Sequence, residues 1–159
     1  MTDGPLSYSL SVSIIASPTR VMWAFFDADA LAVWWQTRRS VTIPRVLGAY
    51  AVEWDPTDVK DEMLGRLGGA FHGTVMDYKP DKEFFVADAF WLPPDGNPMG
   101  PMALEVTVQS QRAKNPQITL VSVTQRASEG GQRWKRYYEV IAPGWERALR
   151  SLKRYLEAG

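Results

Sequence analysis

Residues 132–157 read QRWKRYYEVIAPGWERALRSLKRYLE, and the spacing within them decides the fold. Trp134, Tyr138, Ile141, Trp145, Ala148, Leu152 and Leu156 follow one another at steps of four, three, four, three, four and four. Side chains three and four apart share one face of an α-helix, so the stretch predicts a long helix with an apolar stripe. The phase continues through Pro143-Gly144, which predicts one helix kinked or restarted there. At about 1.5 Å per residue it spans roughly 35 Å, enough to cross a whole sheet. Its other face carries Arg133, Lys135, Arg136, Arg147, Arg150, Lys153 and Arg154 and reads as a solvated surface. Glu146 and Arg150 have the spacing of an i,i+4 ion pair on it.

Upstream of this helix the period changes to two. Leu6, Tyr8, Leu10, Val12 and Ile14 alternate with serines, as in a strand with one buried face. Ser17-Pro18 then supplies a helix start, an N-cap followed by proline at the first helical position. Val21–Phe26 and Leu31–Trp35 read as two short helices, punctuated by Asp27 and Asp29. Strands are expected over 41–46, 50–54, 70–78, 83–91, 102–109 and 118–126. Pro80-Asp81-Lys82 forms a hairpin turn, and the proline-rich run 93–98 is a loop tip. The segment 55–69 reads as a loop with one helical turn near 62–67.

Bulk composition narrows the class. A chain of 159 residues fits one domain, 1–159, and 45% hydrophobic content supplies a real core. Eighteen basic residues balance eighteen acidic ones, so no net field favours nucleic acid or an anionic membrane surface. With no cysteine there is no disulfide, thiolate metal site or Cys nucleophile. The first five residues have no basic leader character and no apolar run is long enough to span a bilayer, so a cytoplasmic location is expected by default. Seven Trp, six Tyr and six Phe are an unusually large aromatic complement, and these side chains must build the interior or line a site.

The order strand, two short helices, about six strands, long helix resembles the START-like (SRPBCC) superfamily, in its branch similar to the activator of heat-shock protein 90 ATPase. The stretch from Ala16-Ser17-Pro18 through Val21-Met22-Trp23 to Leu31-Ala32-Val33-Trp34-Trp35 carries the likeness at one end, and Gly144-Trp145-Glu146-Arg147 to Leu156-Glu157 carries it at the other. Gly73-Thr74-Val75 with the strand to Trp91 looks like the family's central hairpin. The resemblance implies an α+β helix-grip fold. In it a curved antiparallel sheet of six to seven strands wraps around the C-terminal helix, two short helices follow the first strand, and an apolar cavity lies between sheet and helix. It also implies a chaperone as a candidate partner, although the additional chaperone-contacting domain of eukaryotic activators has no room in this chain.

Candidate chemistry is sparse. His72 is the only histidine, which excludes two-histidine metal motifs; a hydrogen-bonded surface residue competes with a role as a polar anchor. Among the strand carboxylates Glu53, Asp77, Asp88 and Glu105, only Asp88 lies where both parities are apolar, so it is the one most expected inside. A carboxylate held there would have a raised pKa and could serve as acid, base or ligand anchor. Trp35, Trp54, Trp91, Trp134, Tyr138 and Trp145 are expected between sheet and helix, some packing the core and some lining a site. Gly68-Gly69 and Gly130-Gly131 lack the spacing of a phosphate loop. No catalytic residue, metal ligand or cofactor is assigned.

The leading functional reading is therefore a non-enzymatic protein, monomer or homodimer, that binds a small hydrophobic or aromatic molecule through Trp35, Trp54, His72, Asp88, Trp91, Tyr138 and Trp145. The alternatives are an enzyme similar to the superfamily's cyclases and dehydratases, and a chaperone-activator-like interaction module.

Overall fold

A computed structural model describes residues 6–158, so the reading of the first five residues as lacking a leader lies outside the described residues. The chain runs β1 (Ser7–Ile14), α1 (Pro18–Ala24), α2 (Ala28–Trp34), β2 (Arg39–Thr42), β3 (Ala49–Trp54), β4 (Lys60–Asp61), β5 (Gly65–Arg66), β6 (Gly69–Lys79), β7 (Glu83–Leu92), β8 (Met99–Arg112), β9 (Ile118–Ala127) and α3 (Gln132–Glu157). Seven strands form one antiparallel sheet in the order β1-β9-β8-β7-β6-β3-β2, and β4-β5 is a separate small hairpin. This is the α+β helix-grip arrangement that the order of elements implies.

The helix boundaries follow from local chemistry. The Ser17 hydroxyl accepts the Arg20 N–H at the start of α1, and the Asp27 carboxylate accepts the Ala30 N–H at the start of α2. The end of α1 is tied down by aromatics: Trp34 Nε1 donates to the Ala24 carbonyl and the Tyr50 hydroxyl to the Phe25 carbonyl, both at 2.8 Å. These bonds satisfy carbonyls that a helix end leaves free and dock both short helices onto the sheet.

α3 is one unbroken element through Pro143 rather than a restarted one. Proline removes one N–H, so the Glu139 carbonyl four residues earlier loses its ordinary helical partner. The predicted apolar stripe faces the sheet, with Tyr137 and Leu149 joining it. The Glu146–Arg150 pair does not form; the structure turns the Glu146 charge toward Tyr8, whose phenol is held above its ordinary pKa by burial and then by Glu146. Tyr8 donates to the Ala142 carbonyl at 3.2 Å, fixing β1 beneath the middle of the helix.

Two readings of the middle segment need correction. The strand expected at 41–46 lies at Arg39–Thr42, because Ile43–Gly48 turns back on itself through an Arg45 N–H to Ile43 carbonyl bond and a Gly48 N–H to Arg45 carbonyl bond. The helical turn expected near 62–67 is the β4-β5 hairpin. The Asp61 carboxylate accepts the N–H groups of Met63 and Leu64, and Gly65 takes a positive φ, so the chain reverses as a turn before a helix can start.

Irregularities in β6 and β7 shape the sheet. In β7 the buried residues are Phe84 and Val86, then Ala89 and Trp91, so the inward parity changes at Ala87-Asp88. The register shifts at that point against both neighbouring strands' pairing pattern, and Asp88 takes φ +52°. β6 changes register twice, between His72 and Thr74 and between Val75 and Asp77. The second shift moves Tyr78 onto the inner side, where its ring meets Phe26 edge-on at 5.6 Å. Residues 70, 72, 74, 76 and 78 therefore do not share one face of the strand. Gly73 sits against this bend, where a Cβ would lie 2.7 Å from Val86 Cγ1 and 2.9 Å from Ala89 Cβ. Bulges bend a strand and raise its twist, which curves the sheet around α3.

Candidate functional site

The curvature leaves a cavity of about 820 Å³ between sheet and α3. Its floor comes from the sheet and from the buried face of the helix: Phe71 of β6, Trp91 of β7, Leu104 of β8, Gln125 of β9 and Tyr137 of α3. The β4-β5 hairpin closes one side with Leu64 and Leu67. The mouth is lined by exposed residues, among them Gln36, Asp55, Thr57, Arg147, Arg150 and Arg154.

Four tryptophans form the wall around Trp35. That ring stacks on Trp34 with centroids 5.1 Å apart, meets Trp54 edge-on at 5.3 Å, and lies 5.0 Å from Trp145. The indole N–H groups of Trp34, Trp54, Trp91 and Trp145 are all engaged by the protein. Trp54 donates to the Trp35 carbonyl at 3.0 Å, Trp91 to the Gly68 carbonyl at 2.8 Å, and Trp145 to Gln125 Oε1 at 2.7 Å. These bonds fix the orientations of the rings, so the surface they offer is apolar and preorganised.

The polar exception is on the floor. Because an indole N–H is only a donor, the bond from Trp145 fixes which end of the Gln125 amide is oxygen. The amide nitrogen is left with weak partners, Met102 Sδ at 3.4 Å and the Tyr137 hydroxyl at 3.4 Å. The Tyr137 hydroxyl in turn reaches Met102 Sδ at 3.6 Å. Burial pushes the Tyr137 phenol up to about 12, with Gln125 acting weakly in the other direction, so at neutral pH it is a hydroxyl donor and not a base. Two donors are therefore buried on the cavity floor with poor partners, an arrangement that an incoming acceptor improves.

The residues expected from sequence divide cleanly. Trp35, Trp54, Trp91 and Trp145 all line the cavity. Tyr138 does not; its ring lies against Trp134 at 6.4 Å and Tyr137 at 5.5 Å, and its buried hydroxyl has no partner among the described residues. His72 is exposed, on the opposite side of β6 from Phe71, with its ring 6.3 Å from Phe90. Asp88 is exposed because it is the bulge residue that the parity change expels. Neither His72 nor Asp88 reaches the cavity. Glu53, Asp77 and Glu105 are on the outer surface paired with Arg39, Lys79 and Arg126. Asp55 at the mouth is the one carboxylate of the cavity lining, and among the described residues no cluster of three potential metal ligands occurs.

Sequence reasoning missed Gln125 and Tyr137. A signal existed for Gln125: it shares parity with the buried Val121, Val123 and Ala127, so with Thr119 it is one of two polar residues on the inner face of β9. The basic face of α3 is also not uniformly solvated. Arg136 is bound to Asp61, Arg133 donates to the Met63, Asn97 and Pro98 carbonyls, and Lys153 donates to the Ser13 carbonyl.

A seven-stranded antiparallel sheet closed over one long helix, with an aromatic cavity between them, defines a START-like protein. More narrowly, residues 15–157 match the family described as activator of Hsp90 ATPase homolog 1-like protein, and the chain belongs to that family. No curated protein matches the chain. Solved structures agree in fold. Protein Ms6760 from Mycobacterium smegmatis aligns with a TM-score of 0.72 at 13% identity, covering 96% of this chain and 92% of that one. The Aha1 dimer from Colwellia psychrerythraea aligns with a TM-score of 0.63 at 18% identity, covering 96% of each chain. The AHSA1-like protein from Aeromonas hydrophila aligns with a TM-score of 0.60 at 22% identity, covering 96% and 93%. Among the described residues no helix is long and apolar enough to cross a membrane.

Proposed function

We propose that this chain, working as a single domain in the cytoplasm, binds a small hydrophobic or aromatic molecule in the cavity between sheet and α3. The observation that carries the reading is the pairing of an apolar tryptophan wall with two poorly satisfied donors, Gln125 Nε2 and the Tyr137 hydroxyl, on a buried floor. A volume of about 820 Å³ suits a small-molecule site. Burying about 300 Å² of ligand apolar surface gains several kcal/mol at roughly 25 cal/mol per Å², before association costs. One acceptor on the ligand would take the floor donors and set its orientation.

Catalysis of the cyclase or dehydratase kind has less support, because His72 and the strand carboxylates face away from the cavity. A chaperone-contacting role draws on the family and on one surface feature, the exposed Val46-Leu47 turn between β2 and β3. A pull-down against the chaperone with and without ATP tests that second reading. The primary reading is tested by titrating intrinsic tryptophan fluorescence with neutral aromatics such as naphthalene-2-acetamide and with neutral lipids such as dodecanol. Saturable quenching or a spectral shift is expected with at least one class; none with any class sinks it.

A further inference from the structure

The whole chain carries balanced charge, yet the mouth of the cavity does not. Arg147, Arg150 and Arg154 stand at i, i+3 and i+7 on α3, which puts them along one stripe of the helix, and all three line the cavity. Ser151, from the same stripe, lines it with them. Against these three guanidiniums the lining offers one carboxylate, Asp55, which lies 3.6 Å from Arg38 and is already paired. Among the described residues none of the three arginines makes an ion pair, whereas Arg133, Arg136 and Lys153 on the same helix are all held by protein acceptors. On α3, therefore, Arg133, Arg136 and Lys153 tie the fold together, while Arg147, Arg150 and Arg154 form a stripe at the cavity mouth without an ion-pair partner.

Position on the helix links this stripe to the tryptophan wall. Gly144 lines the cavity between Ile141 and Trp145 on one side and Arg147 on the other. A Cβ placed on Gly144 would meet only Arg147 Nη2, at 4.0 Å. The helix thus has an open notch beside Trp145, with a guanidinium next to it. Like charges along one stripe repel one another, and a bound anion removes that cost while receiving charge-assisted hydrogen bonds from planar, fork-shaped donors.

We infer that the ligand is an amphipathic anion, with its aromatic or aliphatic body between the tryptophans and a carboxylate, sulfonate or phosphate head at Arg147, Arg150 and Arg154. The inference deepens the proposed ligand-binding function and depends on it. It assigns the head group to the mouth and leaves Gln125 and Tyr137 for a neutral acceptor at the inner end.

The test compares naphthalene-2-acetate with naphthalene-2-acetamide, which differ in charge and share the ring, by calorimetry and tryptophan quenching. The acetate is expected to bind at least about tenfold tighter to the wild-type chain, the worth of one charge-assisted hydrogen bond. That advantage should shrink as salt is raised, because the arginines are solvent-exposed. It should vanish in the triple variant R147Q/R150Q/R154Q, whose fold is checked separately by circular dichroism melting. The double variant R150Q/R154Q provides a milder check of the same kind. Equal binding of acetate and amide to the wild type overturns the inference and leaves the ligand-binding function standing. An acetate advantage that survives the triple variant overturns the assignment to these arginines. Acetate ion alone binding as tightly as the naphthyl acid means a general anion surface and overturns it. Binding of neither naphthyl compound overturns the inference; if dodecanol also fails to bind, the ligand-binding function falls with it.

Discussion

Gln125 and Trp145 hold each other across the interior, the indole N–H donating to the amide oxygen at 2.7 Å, so the last strand and the long helix meet at one buried bond on the cavity wall. Q125L would leave the Trp145 N–H buried without an acceptor, a loss of about 1–3 kcal/mol. Urea unfolding of Q125L, W145F and the double variant checks this. The double variant should cost less than the sum of the singles, because removing both partners leaves no orphaned donor.

Tyr137 separates stability from binding. Its hydroxyl has only long contacts, 3.4 Å to Gln125 Nε2 and 3.6 Å to Met102 Sδ. Y137F should therefore change stability by less than about 1 kcal/mol, since little hydrogen bonding is lost. The same variant should weaken binding of naphthalene-2-acetamide several-fold by calorimetry. An affinity equal to wild type would show that the hydroxyl takes no part in holding the ligand.

Asp61 gives the fold a defined acid response. One carboxylate oxygen accepts Arg136 Nε and Nη2 at 2.8 and 2.7 Å, and the other accepts the Met63 and Leu64 N–H groups at 3.0 Å. The Arg136 hydrogen bond, followed by those backbone donors, lowers the Asp61 pKa against the opposing effect of desolvation. A depressed folded-state pKa means that the stabilisation is fully present above the ordinary carboxyl value of about 3.9 and is lost as pH falls through the folded value. D61N should cost about 1 kcal/mol at neutral pH, on the scale of a lost capping carboxylate. The gap between D61N and wild type, followed by thermal unfolding, should close as the pH is taken below about 4.

Gly73 tests the bend in the sheet. A Cβ there would crowd Val86 Cγ1 and Ala89 Cβ and lie 2.9 Å from the Ala87 carbonyl oxygen. G73V should destabilise by about 1–3 kcal/mol, the usual range for overpacking, and circular dichroism melting would read it. G73A, smaller but still too close, should lie between the two.

The elements that could be read directly are those without irregularity. β1 keeps strict alternation from Tyr8 to Ile14, and α3 keeps its phase over twenty-six residues, so periodicity located both. β7 defeated the same method for a physical reason. Its inward parity changes at the Asp88 bulge, so apolar residues appear on both parities and an exposed carboxylate looked buried. In the site, Trp35, Trp54, Trp91 and Trp145 were legible from size and pattern, while Trp34, the fifth tryptophan of the lining, was not singled out. Gln125 and Tyr137 were not, because what distinguishes them is the quality of their partners, and that depends on contacts between β8, β9 and α3. Tyr138 fits the helical stripe as Tyr137 does, and a step of one residue along the helix turns the ring away from the cavity.

The bulges of β6 and β7 have a consequence for how this family can diverge. Concavity here is written into backbone irregularities, at His72–Thr74, Val75–Asp77 and Ala87-Asp88, with Gly73 leaving room for the bend. The shell therefore depends on a few positions, and the side chains inside it can be exchanged without moving the walls. Proteins that share only 13–22% of their residues with this chain keep the same fold.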